Sequence, residues 1–301
     1  MLKRGLILLL VFSTTLGISQ DYVKVEDHNF AHYLCNSFTG LMTQNCDSLI
    51  TLNVTGIDTI RATNNSILNI DEFIYLTDIN FADFSSNNIS KFPSYSAAFM
   101  NLNTLNLSHN DFHNETLDLT GYINMQTLIV DSSDISAIEG LDSMKNLEKL
   151  DISGNNITKI QSLKDTNTLT ELDVRYNFLS FEYINYLNTF SSLKENKYLW
   201  YPQKMLPVQD SIIYLSTGKS IILSYPYDSN IVNLSFVWYK NNSPIATTSS
   251  RELIVTNNAQ DTDLGTYYVK IFYGLDTNYI TCGNWHIKKC EPITSVDVSQ
   301  V

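Results

Sequence analysis

The sequence predicts two successive folds, a solenoid of 22- to 23-residue repeats and an all-β sandwich. An apolar frame recurs at a fixed period through residues 57–179, which is typical of a solenoid. Residues 205–290 then hold short alternating segments rich in β-branched and aromatic residues, separated by turn signals, as in a sandwich. A length of 301 residues suits about two domains, and 44% hydrophobic with 17% charged residues is an ordinary globular composition.

Residues 1–19 are predicted to be a secretion signal. Lys3 and Arg4 give a positive start, an apolar run follows, and small residues precede a cleavage site after Ser19. The apolar run is too short to span a bilayer, which argues against a membrane anchor. No later segment is apolar enough to be predicted as a transmembrane helix.

Residues 20–56 are predicted to form a cap on the first repeat. An uncapped repeat would expose its apolar core and an unpaired strand edge. Phe30 and Leu34 are four residues apart, which is the spacing of one face of a short helix.

Four cysteines in an exported chain predict two disulfides. Cys35 is close to Cys46 and Cys282 is close to Cys290, which favours these two local pairs over the other pairings. Each disulfide would close a loop of about ten residues and contribute about 2–3 kcal/mol. The alternative, a zinc site, requires two distant pairs from different domains to converge.

Residues 57–200 are predicted to hold the repeats and a closing helix. The clearest unit has the frame Leu147, Leu150, Ile152, Asn155. Its polar position recurs in steps of 22 or 23 residues, at Asn65, Asn87, Asn110, Ser133, Asn155 and Asn177. This frame and this period are those of a leucine-rich repeat.

Each part of the repeat unit has a predicted conformation. Leu150 and Ile152 alternate, so both side chains lie on one face of a short strand. The asparagines are expected to turn the chain and to bond the backbone of neighbouring units as a structural ladder. A three-residue apolar period over 135–144 predicts 3₁₀ or short helical turns on the return path. Ser133 is the one departure from the ladder, so a Ser133→Asn exchange is expected to be neutral or stabilising.

The repeat frame stops after Leu179. Ile184, Leu187 and Phe190 then have a helical spacing, which predicts a helix that closes the far end of the repeats.

Residues 201–290 are predicted to form the sandwich, and residues 291–301 a short tail. The segment Asp263-x-Gly265-x-Tyr267 resembles the tyrosine corner of immunoglobulin domains, with Trp238 as the core tryptophan. The second domain is therefore expected to be immunoglobulin-like. Tyr225 and Val269 stand where that family places its cysteines, so its inter-sheet disulfide is not expected.

The whole order of signal, cap, 22-residue repeats and immunoglobulin-like domain resembles the internalin-like surface proteins of bacteria. Asp27-His28-Asn29-Phe30 is similar to the opening of secreted bacterial leucine-rich-repeat proteins, and Tyr201-Pro202-Gln203 is similar to their exit into an immunoglobulin-like module. The resemblance covers nearly the whole mature chain. It implies a secreted or cell-surface binding protein without implying any particular receptor.

The charge balance narrows the classes of partner. The net charge is −12, and residues 57–200 carry 19 acidic and 9 basic residues. Such a surface repels nucleic acids and anionic membranes, and it suits a basic partner.

No catalytic constellation appears, so the protein is not expected to be an enzyme, and neither a cofactor nor a metal is assigned. His109 and His113 flank Asp111, but their side chains are expected to point in different directions around a turn. His28 and His32 lie four apart on the cap helix and could bind zinc, although the sequence supplies no third ligand near them.

The predicted ligand-binding surface is the concave face of the repeat sheet, where the residues beside each strand leucine point outward. Its candidate residues are Phe81, Asp83, Asn106, Ile129, Asp131, Lys149, Asp151, Glu171, Asp173 and Arg175. Because adjacent strands lie about 4.8 Å apart, Asp151 and Asp173 should be near neighbours. Exposed apolar Phe81 and Ile129 inside a charged rim would be typical of an interface. The alternatives are a solvated polar sheet without a ligand, or a calcium site on the carboxylates.

The sequence therefore predicts an exported protein that recognises an extracellular protein or glycan through this concave face, and the ligand is expected to be basic. Two other hypotheses remain open, a structural spacer or adhesion stalk and a non-catalytic module of a longer exported protein. The oligomeric state is not predicted.

Overall fold

The computed structural model of the chain describes residues 22–93, 99–160, 163, 168–193, 197–209, 211–228 and 230–289. The predicted signal at 1–19, the tail at 291–301 and Cys290 lie outside these residues. The chain forms two compact units. The first contains residues up to 177 together with 188–200, and the second contains 178–187 together with the residues from 201 onward.

The first unit consists of short strands, most of which pair in parallel. Its strands are β1 (Tyr22–Lys24), β2 (Ser48–Ile50), β3 (Thr59–Arg61), β4 (Phe81–Asp83), β5 (Thr104–Asn106), β6 (Glu115–Asp118), β7 (Thr127–Ile129), β8 (Ile135–Glu139), β9 (Lys149–Asp151), β10 (Glu171–Asp173) and β11 (Tyr198–Leu199). A parallel sheet has the order β11-β10-β9-β7-β5-β4-β3. In β3 to β10 of this sheet, the buried central residue of each strand is the one that the repeat frame places there.

Strand β11 was not predicted. It pairs Tyr198 with Leu172 and Leu199 with Asp173, and so adds a seventh strand to the sheet. Tyr198 follows Leu172 by 26 residues rather than 22, because a helix lies between the two strands. The irregular spacing hid this strand from the repeat frame.

The cap is held to the first repeat by Asp27. One of its carboxylate oxygens accepts the Phe30 N–H at 2.9 Å and so caps helix α1 (His28–Ser37). The other oxygen accepts the N–H groups of Leu68 and Asn69 at 2.6 and 3.0 Å. A single carboxylate therefore bonds both the cap helix and a loop of the first repeat.

The cap also protects the edge of the sheet. The Tyr33 hydroxyl accepts the Arg61 N–H of edge strand β3 at 2.9 Å. The predicted Cys35–Cys46 disulfide is confirmed, with the two Cα atoms 5.5 Å apart. It ties α1 to the loop that precedes β2.

The asparagines bond across neighbouring units. The Asn155 amide oxygen accepts the N–H groups of Ser133 and Ile135 at 3.0 and 3.2 Å. Its amide nitrogen donates to the carbonyls of Val130 and Ile152 at 2.6 and 3.0 Å. Contacts of the same kind are made by Asn87, Asn110 and Asn177, whereas Asn65 in the first unit bonds the carbonyl of Thr63.

Ser133 replaces only part of this pattern. Its hydroxyl donates to the carbonyl of Leu107 at 2.9 Å. A serine has no amide oxygen to reach the Phe112 N–H, which instead bonds the backbone carbonyl of Ser133 at 3.0 Å. The backbone has thus taken over a role that the side chain plays in other units.

The return path beside Ser133 differs from the prediction. Residues Leu141–Ser143 form a 3₁₀ turn as expected, but Ile135–Glu139 is strand β8, which pairs in parallel with β6. Gly140 ends β8 with a φ of 89°, and a Cβ there would lie 2.5 Å from the backbone of Leu119. Glycine therefore allows the two return paths to approach closely enough to pair.

The second unit is strand-rich, with helix α2 (Phe181–Asn188) leading into it. Its strands are β12 (Ile212–Leu215), β13 (Ile221–Ser224), β14 (Leu234–Lys240), β15 (Ser243–Thr248), β16 (Glu252–Thr256), β17 (Gly265–Tyr273) and β18 (Tyr279–Lys289). One sheet has the order β12-β18-β17-β14-β15, and β13 pairs with β16. Trp238, Val269 and Tyr225 are buried, with Trp238 packed 5.7 Å from Trp285.

Helix α2 was predicted to close the repeats, but it groups with the second unit. The buried Asp228 carboxylate accepts the Phe181 N–H at 3.3 Å and the Glu182 N–H at 2.7 Å. Asp228 therefore caps the helix from a loop about 46 residues away in sequence.

The predicted Cys282–Cys290 disulfide is wrong. Cys282 carries a free thiol that is fully buried in β18, and burial raises the pKa of this thiol to about 12. The strand continues to Lys289, which places that residue roughly 20 Å from Cys282. A disulfide requires Cα atoms about 4–7 Å apart, far less than the extended run from Cys282 to Lys289, and Cys290 itself lies outside the described residues.

Candidate ligand-binding face of the repeat sheet

The outward residues of the parallel sheet form a surface that we name the sheet face. One row of this face runs in register through Asp83, Asn106, Ile129, Asp151, Asp173 and Leu199. A second row runs through Phe81, Thr104, Thr127, Lys149 and Glu171. The structure therefore brings the candidate residues onto one surface, and β11 adds Leu199 to it.

Four side chains in the first row also have a structural role. The Oδ1 atoms of Asp83, Asn106, Asp151 and Asp173 each accept the backbone N–H two residues further on, at 3.0–3.1 Å. Each side chain thus supports the turn that ends its strand. Ile129 cannot make this bond. The pattern Asp/Asn-x-Ser/Arg directly after the strand centres Ala82, Leu105, Leu150 and Leu172 was a sequence signal for this role.

Two carboxylates on the face are neutralised by cations. Arg175 binds Asp173 with its Nη2 2.6 Å from Oδ2 and its Nε 3.0 Å from Oδ1. Glu171 lies between Lys149, whose Nζ is 3.6 Å away, and Lys197. The hydrogen bond and charge of Lys197 hold the pKa of Glu171 below its usual range.

Asp131 and Asp151 share one hydroxyl group instead. The Ser153 Oγ lies 3.0 Å from Asp131 Oδ1 and 2.7 Å from Asp151 Oδ1. One hydroxyl can donate only one proton, so Ser153 cannot bond both carboxylates at once, and Asp131 Oδ1 also accepts from the Ser132 hydroxyl at 3.0 Å. Within the described residues, neither carboxylate forms an ion pair with Lys or Arg, and His109 Nε2 lies 3.6 Å from Asp131. Burial, followed by the nearby charges of Asp173 and Asp131, raises the pKa of Asp151.

The two apolar residues of the face are less exposed than predicted. Phe81 and Ile129 are both half-buried. The Arg61 guanidinium lies 4.1 Å from the centre of the Phe81 ring and covers part of it. The exposed apolar side chain of this surface is Leu199, at 39%.

A depression of about 240 Å³ lies at the β9–β11 end of the sheet face. Its lining includes Lys149, Asp151, Glu171, Lys197 and Leu199. Lys197 and Leu199 were missed by sequence reasoning because β11 falls outside the regular repeat frame.

No group of three or more His, Cys, Asp or Glu side chains is placed to hold a metal among the residues that the structure describes. The calcium alternative therefore gains no support. His113 Nδ1 lies 3.0 Å from Asp111, and His109 faces Asp131, so these histidines face different carboxylates. Over the same described ranges, no helix combines the length and apolar character needed to cross a membrane.

Comparisons with known proteins find one family model that matches part of the repeats. The family described as Leucine Rich repeats (2 copies) matches residues 123–165. No curated protein matches the chain. Among solved structures, internalin C2 of Listeria monocytogenes is similar at 20% identity, covering 59% of this chain and 93% of its own, with a TM-score of 0.32. The functional domain of InlJ from Listeria monocytogenes is similar at 12% identity, covering 87% and 98%, with a TM-score of 0.24. The match to the family confirms leucine-rich repeats over residues 123–165.

Proposed function

We propose that the protein is an exported or cell-surface binding protein that holds a basic extracellular protein against the sheet face. The observation that carries this proposal is the pair of Asp131 and Asp151 around the single Ser153 hydroxyl. Lys or Arg side chains of a ligand would supply charged donors, whereas the described residues offer this pair hydroxyls, one backbone N–H and the nearby His109. A ligand with basic groups therefore fits this part of the face better than an acidic one.

The surroundings of this pair suit a protein ligand. Leu199 and the depression beside it offer apolar contact next to the charged groups. Interfaces commonly combine an apolar centre with a polar rim. The remaining candidates, Phe81, Asp83 and Asn106, lie on the same face and would extend the contact toward β4 and β5.

Two features support export and the proposed domain type. The Cys35–Cys46 disulfide is of a kind that persists in oxidising compartments outside the cytoplasm. In the second unit, the Tyr267 hydroxyl donates to the backbone carbonyl of Asp263 at 2.8 Å, as expected for an immunoglobulin-type tyrosine corner beside the buried Trp238. We propose that the second unit is immunoglobulin-like and that the protein is internalin-like in its domain order.

A structural spacer is the second candidate function. Four polar side chains of the first row support turns, namely Asp83, Asn106, Asp151 and Asp173. The acidic row could therefore serve the stability of the fold alone. On that reading the sheet face would bind no ligand.

Capture of a peptide library of graded net charge by the full exported chain separates the two functions. The face variant carries Asp131→Asn and Asp151→Asn. A matched control carries Glu115→Gln and Glu139→Gln, which remove the same charge from strands β6 and β8. We expect basic peptides to bind the parent chain, with an affinity that falls as the salt concentration rises. Only the face variant should bind them about tenfold more weakly.

Equal losses in the two variants would show attraction by net charge rather than a site. The absence of any captured basic peptide would favour the spacer.

A further inference from the structure

A second candidate site lies on the outward side of the five-stranded sheet in the second unit. A cavity of about 640 Å³ opens there between the β14–β15 turn and strands β17 and β18. None of the side chains that line it is charged. This cavity shares no residue with the sheet face of the repeats.

One wall of the cavity is the ring of Tyr268. This ring stacks on Tyr239, with centroids 4.7 Å apart and an angle of 4° between the planes. Tyr239 and Tyr268 are cross-strand neighbours on β14 and β17. On the other side, the neighbour of Tyr268 on β18 is Gly283, which has no side chain. The second face of the Tyr268 ring is therefore left without a cross-strand side chain against it.

Gly283 is required at this position. Its φ is 139°, and a Cβ there would lie 2.6 Å from Tyr268 Cα and 2.8 Å from Tyr268 Cβ. Any other residue would collide with the strand that carries the ring. The open space beside Tyr268 is thus built into the backbone.

A β-bulge turns an amide toward the same place. Tyr267 pairs with Trp285 and Tyr268 pairs with Gly283, so Asn284 is an extra residue on β18. Asn284 has a φ of 78°, is exposed, and lines the cavity. Bulges commonly redirect one side chain out of the regular alternation of a strand.

The rest of the lining is amide, hydroxyl and thioether. Asn241 and Asn242 form the β14–β15 turn, both with positive φ, and the Asn241 amide oxygen accepts the Thr266 N–H at 3.0 Å. Thr281 lies on β18, and Met205 stands beside that strand where Leu206 bridges Cys282. The lining thus combines one open aromatic ring face with neutral donors and acceptors.

We propose that this cavity binds one ring of a neutral glycan. A sugar ring presents C–H groups that pack on an aromatic face and hydroxyl groups that exchange hydrogen bonds with amides and hydroxyls. A charged ligand would find no partner of opposite sign in the lining. This site is independent of the basic protein ligand proposed for the repeats.

Saturation-transfer NMR on the full chain tests the proposal with four tetrasaccharides. Three are neutral, built from N-acetylglucosamine, mannose or glucose, and the fourth is a sulfated heparin fragment. At least one neutral probe is expected to bind more tightly than the heparin fragment. Tyr268→Ala should weaken that binding by about tenfold, the factor that corresponds to loss of one aromatic contact.

Two further variants keep the test decisive. Tyr239→Ala removes the same stacked pair, but Tyr239 does not line the cavity, so it controls for loss of the stack. Asn284→Gly removes the amide while keeping the left-handed backbone, so it carries the test if Tyr268→Ala does not fold. Weaker binding in Tyr268→Ala and Asn284→Gly, with a smaller effect in Tyr239→Ala, supports the site. No neutral probe bound, preference for the heparin fragment, or equal loss in Tyr239→Ala would overturn it.

Discussion

Two neighbouring repeats, residues 123–145 and 146–168, share one frame but stabilise their turns differently. In the second, the Asn155 amide accepts from Ser133 and Ile135 and donates to two carbonyls. In the first, Ser133 donates from its hydroxyl, and its backbone carbonyl accepts the Phe112 N–H. A missing side-chain acceptor has been replaced by the backbone, and the adjacent return path is a strand rather than a turn.

The two repeats differ on the sheet face as well. The Asp151 side chain bonds the Ser153 N–H and hydroxyl at the end of its strand, whereas the apolar side chain of Ile129 at the same position has no hydrogen-bonding group. The carboxylate of Asp131, two residues after Ile129, instead accepts from Ser153 of the next repeat. The acidic pair proposed as the binding centre therefore exists because the first repeat departs from the regular pattern.

The largest expected effect is at Gly140, whose substitution would break the strand pair of the first repeat. Gly140→Ala should lower the free energy of unfolding by about 2–5 kcal/mol, because it adds left-handed strain and a backbone collision. Chemical denaturation measures the loss. Gly56→Ala is the control, since Gly56 has a similar φ of 81° and no atom within 4 Å of the added Cβ. Equal losses at both positions would show that close approach at Gly140 is unimportant.

The second-largest effect is expected from removing the ladder side chains, and it should differ between the two repeats. Asn155→Ala is expected to lower the free energy of unfolding by about 2–4 kcal/mol, because two buried N–H donors lose their acceptor. Ser133→Ala should cost only about 1 kcal/mol, because the Phe112 N–H keeps its backbone partner. Denaturation midpoints of the two variants compare the losses directly. If Ser133→Ala costs as much as Asn155→Ala, the backbone has not compensated for the serine.

Replacing Ser133 with the asparagine that other repeats carry should not stabilise the first repeat. The repeat frame alone expects Ser133→Asn to be neutral or stabilising. In the structure Ser133 is fully buried and the Phe112 N–H is already bonded, so we expect a loss of about 1–3 kcal/mol from overpacking. A thermal midpoint at or above that of the parent would contradict this expectation and support the simpler frame.

The smallest expected effect concerns the charge of Asp151. Its pKa is raised in the folded state, so the folded protein binds a proton more readily than the unfolded chain. The ionised carboxylate therefore destabilises the fold at neutral pH, and this penalty fades as the pH falls toward the unfolded value of about 3.9. Asp151→Asn should stabilise by a few tenths of a kcal/mol at pH 7, after allowance for solvent screening, and by nothing below about pH 4.

The backbone bonds should survive this exchange. Asn106 occupies the same row and accepts the Ser108 N–H and hydroxyl at 3.0 and 2.7 Å, just as Asp151 does with Ser153. Urea denaturation of parent and variant at pH 3.5 and pH 7 measures the difference. A stabilisation that is equal at both pH values would show that charge is not its cause.

The sequence was most informative where the repeat is regular. The strand centres follow from an apolar period, because burial of one face fixes the register of each strand. Leu150 and Asn155 could therefore be placed from the sequence. Strand β11 could not, since helix α2 interrupts the spacing between Leu172 and Tyr198.

The candidate site was predictable in outline and not in detail. Alternation shows which side chains point outward, but it does not show which of them already serve the turns. That Asp173 is neutralised by Arg175, while Asp131 and Asp151 share Ser153, depends on side-chain contacts that spacing does not determine. The Cys282–Cys290 prediction failed for a related reason. Residues that are a few positions apart in sequence lie far apart in space when the chain between them is an extended strand.

The assignment of helix α2 to the second unit has a consequence for modular exchange. Residues 178–187 belong to the second unit, but the chain then returns to supply β11 to the first. A gene fusion that transplants the repeats at a single junction must either leave β11 behind or carry the helix away from the Asp228 carboxylate that caps it. A recipient domain would need its own hydrogen-bond acceptor in place of Asp228. The repeats can therefore be transferred only to a domain that caps helix α2 in the same way.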